Sequence, residues 1–289
     1  MNILERWFKL TAHGTTIKRE VLAGATTFFT MAYIIFVNPA MLAEAGMDQG
    51  AVFVATCLAA AIGSVLMGVI ANYPIALAPG MGLNAFFTYG VVLGMGHTWQ
   101  TALGAVFIAG VLFLLLSLFK VREWIIQAIP RTLKLGIATG IGAFLAMIAL
   151  KNAGIIVAHP ATLVTLGDLT QATPLLSIIG FFCIAALTVR GVPGAVLWVV
   201  LALTAVAVMR GDTQFQGIVA APPSLAPTFM QMDIMAAFDL AFVSVIFAFL
   251  FVDIFDNSGT LLAVTQKAGL ADADGNVERL GSALAADSL

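Results

Sequence analysis

The chain has 289 residues, of which 61% are hydrophobic and only 10% charged, with a net charge of −2 and a mean hydropathy of +1.04. Soluble domains carry roughly 45–50% apolar and about 25% charged residues, so too few charges remain to coat a water-facing surface. That excludes a soluble enzyme and leaves an integral membrane protein.

The first segment, residues 1–20, holds Glu5, Arg6, Lys9, Lys18, Arg19 and Glu20 ahead of any long apolar run. This argues against a cleavable signal peptide. The pattern Arg6-Trp7-Phe8-Lys9 suits an amphipathic segment in the headgroup region. A helix needs about 20 mostly apolar residues to cross a bilayer, and about eight stretches qualify. They run over 21–42, 51–73, 75–93, 101–119, 133–153, 175–189, 193–209 and 238–264, making residues 21–264 the transmembrane region. The expected class is therefore an all-α polytopic membrane protein. A tight turn is expected at Arg190-Gly191-Val192-Pro193, and a surface helix over Lys120–Lys134.

Charge asymmetry orients the chain. With a cytoplasmic N-terminus, eleven of the thirteen Lys and Arg residues fall inside and only Lys151 and Arg210 fall near the outer face. The long outer segments 154–174 and 211–233 carry no Lys or Arg.

Asn38-Pro39 is expected to mark the outer end of the first segment. Thr26, Thr27 and Thr30 in that segment either border a cavity or bond back to their own helix. The third segment is irregular. Pro79, Gly80, Gly82 and Asn84 cluster within Ala78–Phe87. Proline removes a donor and glycine weakens a helix, so a break with a short extended stretch is expected there. Broken helices often build transporter binding sites; a proline kink with close glycine packing is the alternative.

The eighth segment carries Asp253 and Asp256 within an otherwise apolar run ending near Val264. Three residues apart, both project from one helix face, with Asn257 and Thr260 continuing it. An intramembrane carboxylate is costly and points to function. The alternative is that Asp256 and Asn257 mark a helix end at the interface. Residues 265–289 are polar and turn-rich around Asp272-Ala273-Asp274-Gly275, which lacks the spacing of a calcium loop. They are expected to form a cytoplasmic loop. Cys57 and Cys183 lack ligand neighbours, and His13, His97 and His159 are scattered, so no metal, disulfide framework or cofactor is expected. No nucleophile–base pair supports a membrane enzyme.

Three motifs, Gly24–Pro39, Ala78–Phe87 and Phe251–Asp256, resemble the AzgA-like purine permeases of the nucleobase–cation symporter-2, or nucleobase–ascorbate transporter, superfamily. The resemblance implies fourteen segments in two inverted repeats of seven, divided between a core and a gate domain. It implies uptake of adenine, guanine or hypoxanthine with a proton across the cytoplasmic (inner) membrane, with dimerisation suggested through the gate. Carried onto this chain, it implies substrate contacts from Asp253, Asn84 and the neighbouring backbone at Gly82, Ala85 and Phe86. Thr27 is a further binding candidate, and Asp253 and Asp256 are the candidates for proton coupling. The partners implied are a purine base and the lipid bilayer, and not nucleic acid. Cargo changed to uracil, xanthine or another small solute is the alternative within the superfamily. The sequence ends at Asp287-Ser288-Leu289, where the family continues for six segments. The expectation is a truncated chain lacking the tenth segment and half of the site, and a non-transporting fragment is the other reading.

Overall fold

The computed structural model describes residues 3–118, 131–215, 217, 219–270 and 280–288. In chain order the helices are α1 (Ile3–Phe8), α2 (Ile17–Met31), α3 (Ile34–Glu44), α4 (Gln49–Leu66), α5 (Met81–Ala85), α6 (Trp99–Leu118) and α7 (Arg131–Asn152). A hairpin of β1 (Ile156–His159) and β2 (Leu163–Leu166) follows. Then come α8 (Ala172–Val189), α9 (Ala195–Arg210), α10 (Ile234–Ala237), α11 (Val243–Lys267) and α12 (Leu280–Ser288). The chain divides into two compact units, one of Met1–Thr16, Ile34–Thr139 and Pro222–Leu289, the other of Ile17–Tyr33 and Gly140–Ala221.

Among the described residues, four stretches are long and apolar enough to cross a bilayer: Ile17–Glu44, Gln49–Ala71, Trp99–Ser117 and Ala172–Val189. Only 11% to 28% of each apolar window is buried within the protein. Their hydrocarbon surface therefore faces outward, as it does in a protein whose solvent is lipid. Met81–Gly94, Gly142–Asn152 and Ala195–Arg210 are shorter apolar helices. The chain is thus a mostly helical, multi-pass membrane protein.

In the first unit, α3 and α4 form a helical hairpin. The turn between them uses Gly46 at φ 87°, and the Asp48 carboxylate accepts from the Ala51 N–H at 2.8 Å. That oxygen supplies one of the partners the helix start lacks. The end of α4 widens into a π-helical turn over Met67–Ala71 and stops at Asn72, which is left-handed. Residues 72–80 carry no helix; α5 begins at Met81 and continues as a wider helix through Gly94. The core lies where α6 meets α11. Ala102, Ala105, Ala109 and Phe113 recur at helical spacing and pack with Phe87, Phe249 and Ile254.

The second unit is built on α8 and α9, joined by a turn in which Gly191 (φ 70°) and Gly194 (φ 69°) are left-handed. Gly194 is also a close approach, since a Cβ there would lie 3.1 Å from the Cβ of Phe29 on α2. Between α7 and α8 the hairpin pairs Ile156 with Leu166 and His159 with Leu163 in antiparallel register.

Several expectations are corrected here. The chain is not all-α: the segment after α7 carries a short hairpin, whose strands hold Ile156, Val157, Val164 and Thr165, β-branched residues that favour strands. Asn38 and Pro39 do not end the first segment, since α3 runs through both, and Pro39 costs that helix a single ladder bond. Part of the polar tail is not loop. Leu280–Ser288 is helical, and Ala283, Leu284 and Ala286 are buried against Met67, Ala71, Tyr73 and Leu261. The stretch without helix lies at 72–80, earlier than the 78–87 anticipated. The surface helix expected over 120–134 falls largely outside the described residues.

Helix α6 approaches the segment ahead of α10 so closely that a Cβ at Gly104 would collide with the Asp233 carbonyl, and the Asp233 N–H donates to the Gln100 carbonyl at 3.0 Å. Backbone cannot yield as a side chain does. Gly104→Val is expected to lower stability by about 1–3 kcal/mol, read as a lower thermal midpoint in detergent. Gly110→Ala, whose Cβ would meet nothing within 4 Å, should keep the parent's midpoint. Equal midpoints for all three proteins would contradict the contact.

Candidate functional site

Helix α11 turns Phe249, Leu250, Ile254 and Leu261 into the core. Asp253, Asp256 and Asn257 lie beside that face and are half-buried. Their spacing is the reason they act together, because positions three and four apart are neighbours on a helix surface. The Asn257 amide donates to Asp253 Oδ1 at 2.7 Å and so fixes the orientation of that carboxylate.

These polar groups open onto a cavity of ≈ 450 Å³ within the first unit. This lies inside the range of about 300–1,000 Å³ common for small-molecule sites. One wall is α4, with Ala59, Ile62, Gly63 and Leu66. A second is the non-helical stretch from Leu77 to Gly80, followed by Leu83. Asp253, Asp256 and Asn257 form a third, and Ala286 and Asp287 of α12 close the site. The backbone comes close to the acids here: a Cβ on Gly80 would stand 3.2 Å from Asp256 Oδ2. Among the described residues the lining combines carboxylates and an amide with apolar walls and contains no Lys, Arg or His. Its carboxylates offer acceptors to N–H donors, and it presents no cationic side chain to an anion. Among the described residues there is no cluster able to hold a metal ion.

The other expected residues lie elsewhere. Asn84 donates its amide to Asn38 Oδ1 at 2.5 Å, and the Asn38 amide donates to Thr56 Oγ1 at 2.8 Å. The Thr56 hydroxyl then donates to the Val52 carbonyl at 2.7 Å. This polar chain ties α3, α4 and α5 together. Ala85 and Gly82 are buried, and Phe86 meets Phe249 edge-on with ring centroids 5.1 Å apart. None of Gly82, Asn84, Ala85 or Phe86 is part of the cavity lining. Thr27 belongs to the second unit, where its hydroxyl donates to the Ala23 carbonyl at 3.0 Å.

The sequence reading missed Asn38, Thr56 and Ser64. Ser64 Oγ accepts from the Leu77 N–H at 2.9 Å and donates to the Leu77 carbonyl at 3.2 Å. The available signal was polarity: Thr56 and Ser64 interrupt an otherwise apolar helix and lie eight residues apart, about two turns.

The profile of the Permease family matches residues 18–289. The chain belongs to this family. It is 53% identical over 287 residues to the adenine permease AdeP of Escherichia coli, covering 99% of this chain and 64% of that protein. It is 46% identical over 301 residues to the guanine/hypoxanthine permease PbuG of Bacillus subtilis, covering 99% and 67%. It is 34% identical over 258 residues to the nucleobase transporter PlAzg2 of Paenibacillus larvae, covering 87% and 51%. The chain thus spans about two thirds of the length of AdeP and PbuG. The likeness to purine permeases read from three motifs extends over nearly the whole chain, and a family of permeases sets the enzyme reading aside.

Replacing Asn38 by leucine leaves the part-buried Asn84 amide without its acceptor and cuts the chain to Thr56, which keeps only its bond to the Val52 carbonyl. Each unsatisfied buried group costs about 1–3 kcal/mol, so Asn38→Leu should drop the thermal midpoint well below that of Thr204→Ala. Thr204 bonds only to the Val200 carbonyl of its own helix. A midpoint no lower than that of Thr204→Ala would dismiss the network.

Proposed function

We propose that this chain is the purine-binding part of a proton-coupled permease that carries adenine, guanine or hypoxanthine across the plasma membrane. One observation carries the reading: the half-buried carboxylates Asp253 and Asp256, side by side on α11, share a cavity with Asp287 and a non-helical stretch of backbone. Relatives named as adenine and guanine/hypoxanthine permeases support the choice of cargo.

In this reading Asp253, oriented by Asn257, accepts ring N–H bonds from the base. The apolar side chains of Leu77, Leu83 and Ile62 cover its faces. The free backbone of residues 77–80 supplies further donors and acceptors, as broken membrane helices do in carriers. Asp256 sits beside that backbone and is the candidate for carrying the coupled proton. A proton that binds one of two conformations better than the other shifts their populations, and this is how a gradient drives the cycle. Eight crossings, a cytoplasmic N-terminus and a break of the third segment within the bilayer belong to the same proposal. The Lys and Arg distribution supports the orientation.

The test is uptake of labelled adenine by cells that express the full chain. A hydrogen bond to a charged group contributes about 1.5–3 kcal/mol, and each 1.4 kcal/mol is tenfold. Loss of the charge and of one acceptor oxygen in Asp253→Asn should cut uptake at sub-saturating adenine at least about tenfold with membrane abundance unchanged. A protonophore should abolish accumulation by the parent, and unlabelled hypoxanthine and guanine should compete where organic anions do not. Normal proton-driven uptake by Asp253→Asn would discard the site.

A further inference from the structure

Hydroxyls on the helices of this protein bond in one prevailing way. Thr26, Thr27, Thr56, Ser177, Thr204 and Thr265 each donate to the carbonyl four residues earlier in their own helix. Ser64 departs from this. Its hydroxyl reaches out of α4 and meets both backbone groups of a single residue, Leu77. In an extended residue the N–H and C=O point to the same side, which is why paired strands exchange both bonds. A hydroxyl is donor and acceptor at once. Ser64 therefore does for Leu77 what a neighbouring strand would do.

The adjoining contacts act in the same sense. A Cβ on Gly63 would stand 3.3 Å from the Leu77 Cβ, so glycine there lets α4 and the non-helical stretch approach closely. Three residues beyond Leu77, Gly80 packs beside Asp256. Between them Pro79 restricts the backbone. A shift at Leu77 is thus passed along a short, stiff run to the carboxylate wall of the same cavity.

We propose that Ser64 is a positioning residue of the purine site. It clasps Leu77 against α4 and thereby sets where the backbone of residues 78–80 stands relative to Asp253 and Asp256. The inference rests on the purine reading for its substrate, while the clasp itself has a readout that needs none.

Two variants of nearly equal shape separate the hydroxyl from the packing: Ser64→Val removes it and Ser64→Thr keeps it. Each is made in the full chain, in a background without Cys57 and Cys183, with Ala78→Cys as reporter in a parallel set. Ser64→Val is expected to speed methanethiosulfonate labelling of the cysteine at 78 several-fold in membranes. It should also raise the half-saturation concentration for adenine at least about tenfold at equal membrane abundance. Ser64→Thr should match the parent in both. Parental labelling or parental half-saturation in Ser64→Val would overturn the proposal, as would equal impairment of the two variants. A parent that takes up no purine would fail the purine reading alone, and the labelling comparison would then decide the clasp.

Discussion

Between Asn72 and Gly80 the backbone has left the helical ladder while its neighbours in sequence are apolar helices, and its polar groups need partners from outside that ladder. In a bilayer each group left without one costs several kcal/mol. The chain meets this demand locally. The Tyr73 N–H donates back to the Met67 carbonyl across the π turn, and the Gly80 carbonyl accepts from the Asn84 N–H at 3.1 Å. Pro79 has no donor to satisfy. Leu77, in the middle, has both of its groups met by Ser64. Without these partners the stretch would be driven back into helix, and the cavity wall it forms would not exist.

Fixing one side of the stretch is useful only if the other side is fixed as well. Helix α5, which follows it, is held by the polar chain from Asn84 through Asn38 and Thr56 to the Val52 carbonyl, and by Phe86 and Phe87 against Phe249. Phe249 belongs to the same helix as Asp253 and Asp256. The aromatic contact therefore sets the spacing between α5 and the acids, while Ser64 and Gly63 set that between the stretch and α4. The cavity is bounded by elements whose mutual positions are each fixed by a named contact, which is what preorganises a binding site.

Much of this was legible in the sequence, for physical reasons that differ from residue to residue. Asp253 and Asp256 stood out because a carboxylate in an apolar run is costly, and their three-residue spacing put them on one face before any coordinates. Pro79 and Gly80 argued for a break over 78–87, whereas helix begins at Met81 and the stretch without helix covers 72–80. Gly82 and Asn84 look like helix breakers, but tight burial of the glycine and the bond from Asn84 to Asn38 reward helix there. The same partner explains Asn38-Pro39, which resembled a helix end until tertiary bonding kept the helix going. The buried face of α12 was hidden because it is small: Ala283, Leu284 and Ala286 follow helical spacing, but amid polar residues they carry little hydropathy. Long-range pairs such as Ser64 with Leu77 leave no periodic trace at all.

The two acids that α11 brings to the cavity, Asp253 and Asp256, are placed differently. Asp253 receives the amide of Asn257, a bond that steadies a carboxylate and offsets part of the cost of holding it among apolar walls. A steadied acceptor is what recognition of a ring N–H requires, because a loose one would lose entropy on binding. Asp256 instead abuts the backbone at Gly80, so closely that any larger residue there would press on it. Its carboxylate thus borders the non-helical stretch, the part of the wall with the fewest ladder bonds of its own. Recognition and response to a proton need not compete for one group when neighbouring acids meet such different surroundings.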